Sequence, residues 1–208
     1  MDSEPAHLGQ KIDVETAVVE VDGVRLPVRP DLTYLLLYKP VGVISTAADP
    51  QGRETVVSLV EPGVRVYPVG RLDADSEGLL LLTNDGDLTE RITHPRYGVT
   101  KKYLARVEGH PGKAALRALT EGIELDDGLA RASSAKLIDR FGAEALIEIV
   151  MTEGRNREIR RMMEAVGHPV RQLVRTAIGP VNDRDLAPGD CRALTLDEIR
   201  GLYAASVG

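Results

Sequence analysis

The chain has 208 residues, of which 43% are hydrophobic and 28% charged, and its formal net charge is -6. These values predict one compact domain, or one domain with a small appendage. Apolar runs such as Leu79–Leu82 are far too short to span a membrane. The acidic N-terminus lacks the features of a signal peptide, and Cys191 is the single cysteine. We therefore expect a cytoplasmic protein without disulfides.

Charge is unevenly distributed along this acidic chain. The segment from Arg91 to Arg117 contains seven basic residues and one acidic residue. The segment from Glu153 to Arg175 contains six basic and three acidic residues. Such segregation can give an acidic protein a basic face that binds nucleic acid. On counts alone, a solvated surface is the simpler interpretation.

The first half of the chain predicts a hairpin, two buried strands and a short helix. Val18–Leu26 alternates around an Asp-Gly pair, which is typical of a hairpin. Tyr34–Tyr38 and Gly78–Thr83 are apolar runs of strand length. Asn84–Asp87 supplies caps for a helix around Leu88–Ile92.

The second half predicts a further mixture of helices and strands. Its clearest helix is Asn156–Val166, with an apolar stripe at Ile159, Met162, Met163 and Val166. The other expected elements are the strands Val99–Val107, Ala130–Leu137, Ala145–Met151 and Val170–Ile178 and the helices Lys113–Gly122 and Leu196–Tyr203. Without a regular βαβ period, this order predicts an α+β fold, with a mixed, largely antiparallel sheet and flanking helices.

Three alternating carboxylates, Asp73, Asp75 and Glu77, stand in the segment Gly70–Gly78 just before a predicted strand. A calcium loop starting at Asp73 would need a bidentate Glu where Asn84 stands, so an EF-hand is excluded. A glycosidase-like carboxylate pair and a simple solvated turn both stay open at this point. The sequence contains neither a phosphate-binding loop nor histidine pairs at metal-ligand spacing, so we expect no metal site.

A long motif and three shorter ones provide a resemblance to a known family. Gly70–Gly86 resembles the signature of the bacterial RsuA/RluB-type pseudouridine synthases. Tyr38–Gly42, Lys101–Tyr103 and Glu153–Met162 resemble three further elements of that family, in the same order. The resemblance covers about residues 31–190, and it implies the pseudouridine synthase fold.

The same resemblance implies a division of the chain at residue 30. Residues 31–208 correspond to the catalytic domain. Residues 1–30 correspond to a tail and a remnant of an S4-like RNA-binding domain, because Lys11–Gly23 resembles only the last strands of such a domain. Helices that would precede those strands are missing from the sequence.

Catalytic roles follow from the matched motif positions. Asp73 matches the family's catalytic aspartate, which acts on either the base or the ribose of a uridine. Tyr103 matches the tyrosine that packs on the target base. Arg160 matches the cation that pairs with the aspartate, and Arg157 is the alternative, because the register of this element is not visible in the sequence.

The resemblance implies conversion of a specific uridine to pseudouridine in ribosomal RNA, with a large-subunit (23S) target favoured over a small-subunit (16S) one. The partner is ribosomal RNA or a ribosomal precursor particle, with no membrane and no cofactor, and a monomer is expected. Expected phosphate contacts are Lys39, Arg71, Lys101, Lys102, Arg155, Arg157 and Arg161. The main alternative is a non-catalytic RNA-binding or ribosome-assembly factor with the same fold. A sugar hydrolase is disfavoured because aromatic residues make up only 3% of the chain.

Overall fold

A computed structural model of the chain describes Pro5, His7 and residues 9–12, 19–21, 24–26, 31–61, 63 and 65–206. The strands of this part are β1 Val19–Val21, β2 Val24–Leu26, β3 Tyr34–Lys39, β4 Tyr67–Pro68, β5 Glu77–Thr83, β6 Lys101–Glu108, β7 Ile123–Leu125, β8 Gly128–Ala130, β9 Ser134–Phe141, β10 Glu144–Met151, β11 Val170–Ile178, β12 Val181–Asn182 and β13 Cys191–Ala193. Its α-helices are α1 Gly86–Thr93, α2 Lys113–Glu121, α3 Glu158–Ala165 and α4 Leu196–Ala205. Within these residues, no helix is both long and apolar enough to cross a membrane.

One large mixed sheet organises the described residues. Seven strands follow the spatial order β13-β3-β5-β11-β6-β10-β9, with β4 added to β5 and β12 to β11. The strands β5 and β11 pair in parallel, whereas the other neighbours pair antiparallel. Two hairpins, β1–β2 and β7–β8, stand outside this sheet. The α+β fold expected from the sequence is confirmed.

The apolar core is divided along the sheet. Under one half, α2 and α3 pack against β6, β10 and β11 through Leu119, Met162 and Met163. Under the other half, α1 and α4 pack against β3 and β5. A third cluster covers the opposite face of β3 and β5. The two halves of the sheet meet where β5 pairs with β11, and the loop that precedes β5 lies at this junction.

A buried carboxylate joins three elements of the second half-core. Asp85 caps α1 by accepting hydrogen bonds from two backbone amides of its first turn. Its other oxygen accepts from the hydroxyls of Tyr34 on β3 and Tyr203 on α4, each at 2.6 Å. A buried carboxylate needs such partners to offset the loss of hydration.

Most predicted elements are present with boundaries shifted by a few residues. The hairpin expected at Val18–Leu26 is β1–β2, and the amphipathic helix is α3, which begins at Glu158 rather than Asn156. The β7–β8 hairpin was not predicted. The S4-like remnant expected between Lys11 and Gly23 lies largely outside the described residues.

Candidate active site

The loop that carries Asp73 is fixed by hydrogen bonds along its length. The Ser45 hydroxyl donates to the Leu72 carbonyl at 2.9 Å and accepts from the Leu72 amide at 3.1 Å. The Gly42 amide donates to the Ala74 carbonyl at 2.7 Å, and the Ser76 amide donates to the Asp73 carbonyl at 3.0 Å. Asp73 is thus presented on a rigid turn immediately before β5, with its side chain 27% exposed.

Lys39 supports this loop from beneath. Its ammonium donates to the Ser76 carbonyl at 2.8 Å and to the Pro40 carbonyl at 2.9 Å, and the residue is fully buried. Burial lowers the pKa of Lys39 to about 8, against the opposing effect of nearby carboxylates that include Asp73. Lys39 therefore holds the Asp73 loop and does not face the solvent.

Two arginines from the start of α3 contact the same loop in different ways. Arg157 donates to both carboxylate oxygens of Asp75 at 3.0 Å, and its guanidinium lies 3.9 Å from Asp73 Oδ2. Arg160 donates to the Asp75 carbonyl at 2.8 Å and to the Val170 carbonyl at 3.2 Å. Among the described contacts, Asp73 lies within ion-pair distance of Arg157, the alternative named from the sequence, while Arg160 binds the same loop through its backbone.

Arg157 reaches Asp73 because of its backbone conformation. It precedes α3 as the N-cap residue with φ 48°, and it is the one non-glycine residue with positive φ in the described chain. Left-handed backbone at a non-glycine residue costs about 1–3 kcal/mol and is commonly retained at functional sites. Its side chain remains 45% exposed, so it faces both the carboxylates and the solvent.

A cavity of about 240 Å³ opens beside Asp73. Tyr103 of β6, Met151 of β10 and Leu173 of β11 provide its apolar floor, and the segment Glu153–Ile159 provides one wall. Tyr103 is only 8% exposed, and its hydroxyl has no hydrogen-bond partner within the described residues. A small pocket with an apolar floor and convergent polar groups is typical of a ligand site, and this one suits a single base more than a large ligand.

The wall of the cavity contains a buried carboxyl group. Glu158 accepts from the Arg155 amide at 3.0 Å and from Arg155 Nε at 3.1 Å. Burial, together with the neighbouring Glu153, raises the pKa of Glu158 above its usual range. Asn156 lies between these residues on the cavity lining.

The structure brings five of the sequence-predicted residues to the cavity and places the others elsewhere. The cavity is lined by Asp73, Tyr103, Arg71, Arg155 and Arg157, whereas Arg160 and Arg161 lie behind its wall. Arg71 is exposed and forms no ion pair with any described residue. It is therefore well placed for an incoming anion.

Two lysines that were expected to contact phosphates are buried, which corrects that expectation. Lys39 is fully buried, and Lys101 is 9% exposed with its ammonium donating to the Ile92 carbonyl at 2.8 Å. Neither ammonium can reach a phosphate in this structure. Lys102 is half exposed, but it points away from Tyr103 on the other face of the sheet and lies 3.3 Å from Glu148.

Sequence reasoning missed Ser45 and a partly exposed cluster next to the Asp73 loop. In that cluster the guanidiniums of Arg91 and Arg96 stack on Tyr97, at 5.7 and 4.5 Å from the ring centroid. The end of α1 lies beside Gly70, where an added Cβ would be 3.6 Å from Thr93. Only the basic run starting at Arg91 pointed to this surface, since nothing in the sequence showed that Tyr97 would be stacked.

The chain belongs to the RNA pseudouridylate synthase family, because the model of that family matches residues 33–165. Among curated proteins, the chain is 46% identical over 200 residues to an uncharacterized RNA pseudouridine synthase of Mycobacterium leprae (strain TN), covering 94% of this chain and 78% of the relative. It is also 44% identical over 189 residues to the ribosomal large subunit pseudouridine synthase B of Bacillus subtilis (strain 168), covering 89% of this chain and 77% of the relative.

A solved structure supports the same assignment. The crystal structure of a pseudouridylate synthase superposes with a TM-score of 0.74 at 30% identity, covering 93% of this chain and 83% of the other. The family resemblance expected from the sequence is therefore confirmed, and the protein is an RNA-modifying isomerase.

Proposed function

We propose that this enzyme converts a specific uridine of large-subunit ribosomal RNA to pseudouridine, with Asp73 as the catalytic carboxylate. The single observation that carries the proposal is the position of Asp73, on a rigid loop at the edge of a cavity floored by Tyr103. The large-subunit target is supported by the Bacillus subtilis relative, a ribosomal large subunit pseudouridine synthase B.

The chemistry needs only what the cavity offers. Isomerisation breaks the C1′–N1 bond of the uridine and forms a C1′–C5 bond. The C5 proton is lost and N1 gains a proton, so atoms balance without a cofactor or an external group. A carboxylate can act here by adding to the base or by removing a ribose proton. Both routes place Asp73 against the target nucleotide.

Tyr103 and the arginines have distinct proposed roles. The ring of Tyr103 packs against the flipped base, and its free hydroxyl can transfer a proton. Arg157 orients the Asp73 carboxylate from 3.9 Å away. Arg160 fixes the loop through the Asp75 carbonyl and thus acts through the position of Asp73.

The target uridine must leave its stack to enter the cavity, which costs a few kcal/mol and least in unpaired RNA. Arg71 and Arg157 at the cavity mouth are proposed to hold the adjacent phosphates. The Arg91–Arg96–Tyr97 cluster offers a neighbouring surface for unstacked nucleotides, since guanidinium and aromatic planes both stack on bases.

The setting of the enzyme is also part of the proposal. We infer that it acts as a cytoplasmic monomer on ribosomal RNA or a precursor particle. Residues 31–208 form the catalytic domain, and residues 1–30 form the S4-like remnant.

The deciding experiment measures pseudouridine in ribosomal RNA from cells that lack this protein, after incubation with the purified chain. Asp73→Asn is the matched variant, since it keeps the shape of the side chain. We expect site-specific pseudouridine with the wild type and a loss of at least about 10³-fold with the variant. RNA affinity should stay within about twofold, because Asp73 is a small part of the binding surface.

A wild-type chain that binds this RNA but forms no pseudouridine, in free RNA or in precursor particles, would establish the non-catalytic alternative. Activity on 16S rRNA alone would overturn the large-subunit assignment and leave the isomerase intact.

A further inference from the structure

The turn of the β7–β8 hairpin carries a carboxylate that is tied to two arginines behind the cavity wall. Asp127 accepts from both terminal nitrogens of Arg161, each at 2.8 Å, in a bidentate arrangement. It also accepts from Arg155 Nη1 at 3.2 Å. Bidentate pairs of this kind fix orientation as well as distance. The hairpin is thereby locked onto the start of α3.

Arg155 is the link between this carboxylate and the cavity. Its guanidinium donates to the backbone carbonyls of Asp127, Gly128 and Leu129 at 3.2, 3.2 and 2.6 Å. On its other side it binds Glu153 at 3.3 Å and the buried Glu158 at 3.1 Å. Both glutamates line the cavity. One side chain therefore ties the hairpin to the wall.

The same wall ends at Arg157, whose left-handed backbone brings its guanidinium to Asp75 and Asp73. A strained residue persists only where its surroundings hold it in place. The amide of Arg161 donates to the Arg157 carbonyl at 3.0 Å, so Asp127, Arg161 and Arg157 form a continuous chain of contacts.

We propose that Asp127 is a positioning residue for the isomerisation: it fixes Arg155 and Arg161, and through them sets the cavity wall and Arg157 before RNA binds. This inference rests on the proposed function of the same cavity. Because protein carboxylates already bind Arg155 and Arg161, we assign these two arginines to the structure of the cavity wall and not to phosphate contacts.

The expected effect is on the rate of reaction more than on stability. The Asp127 side chain is 43% exposed, and ion pairs at such exposure contribute little to stability. Small displacements of catalytic groups, in contrast, are costly in rate, by about 10²-fold for roughly 1 Å. We expect partial loosening, with a loss of about tenfold in the rate at saturating RNA.

The test compares Asp127→Asn, which removes the charge, with Asp127→Glu, which keeps it. Asp126→Asn is the control, since Asp126 is an exposed neighbour on the same turn whose charge acts on Arg161 only from a distance, without a hydrogen bond or ion pair to the described residues. Single-turnover rates at saturating ribosomal RNA, RNA Kd and Tm are measured for each. We expect about tenfold slower reaction for Asp127→Asn, partial recovery for Asp127→Glu, and wild-type behaviour for the control, with Kd within about twofold throughout.

Hydrogen exchange of the amides of residues 153–158 provides a second measurement that does not depend on activity. Faster exchange in Asp127→Asn alone supports the inference even if the wild type were inactive on the chosen RNA, an outcome that would count against the proposed function instead. Unchanged exchange together with an unchanged rate in Asp127→Asn overturns the proposed role of Asp127. Tighter RNA binding with a steeper salt dependence and an unchanged rate also overturns it, and would show that Asp127 screens two phosphate-binding arginines.

Discussion

Substituting the buried cation Lys101 with methionine should change the pH dependence of the free energy of unfolding while leaving RNA affinity unchanged. Lys101 lies on β6 beneath α1, where it is 9% exposed and donates to the Ile92 carbonyl. Burial, and then the nearby Arg175, lowers the pKa of Lys101 from 10.5 to about 8. Lys101→Met keeps the length of the side chain and removes the charge.

The lowered pKa corresponds to a cost of about 3 kcal/mol for keeping the charge in the folded protein. Because the folded pKa lies below the unfolded one, this cost is fully present below about pH 8. It is relieved as pH rises towards 10.5, where the unfolded chain binds more protons than the folded one. The variant avoids the cost of burying a charged ammonium. It also leaves the Ile92 carbonyl without its hydrogen-bond donor, which costs about 1–3 kcal/mol.

At pH 7 the two effects nearly offset, so we expect the variant to lie within about 2 kcal/mol of the wild type. Between pH 7 and pH 10 the wild type should gain about 2 kcal/mol relative to the variant. Urea unfolding of both proteins across this range measures the difference, in which other ionisations cancel. RNA Kd and its salt dependence should be unchanged. A stability difference independent of pH, or a weakened Kd, would refute the buried position of this ammonium.

Two further substitutions test the arginines at the Asp73 loop, and a third tests the close approach of β5 to β11. Arg157→Met should lower the saturating rate by about 10–100-fold at nearly unchanged Tm, whereas Arg160→Met should lower Tm as well, because Arg160 binds two backbone carbonyls. A larger rate loss for Arg160→Met at unchanged Tm would make Arg160 the partner of Asp73. Gly78→Ala should destabilise by more than about 3 kcal/mol in urea unfolding, since an added Cβ would clash with the Arg175 carbonyl and lie 2.6 Å from its amide nitrogen. Gly112→Ala, with open space around it, is the control, and equal effects would contradict the clash.

The elements that sequence reasoning found are those with a strong periodic signal. The apolar stripe of α3 predicted burial, and Ile159, Met162 and Met163 are all buried. The strands flanking the Asp73 motif were found for the same reason. The β7–β8 hairpin was missed because β8, Gly128–Ala130, shows no alternation of apolar and polar residues, whereas both strands of the equally short β1–β2 hairpin do.

The position of the cations was harder to predict. Lysines are almost never fully buried, so Lys39 and Lys101 were expected at the surface, although Lys101 is in phase with the buried Tyr103, Ala105 and Val107 of β6. The choice between Arg157 and Arg160 depends on where α3 begins. That boundary is set by one left-handed residue, Arg157, and such a conformation at a non-glycine residue has no sequence signature.

The parallel pairing of β5 with β11 joins segments that are far apart in the sequence. Val174 pairs with Glu77, and the Asp73 loop is held from one side by Lys39 and from the other by Arg160. Contacts between such distant segments close late in folding, because the entropy of the long intervening loop must be lost first. A chain that ended before β11 would keep Asp73 and its motif, but it would lack Leu173 of the cavity floor and the parallel partner of β5.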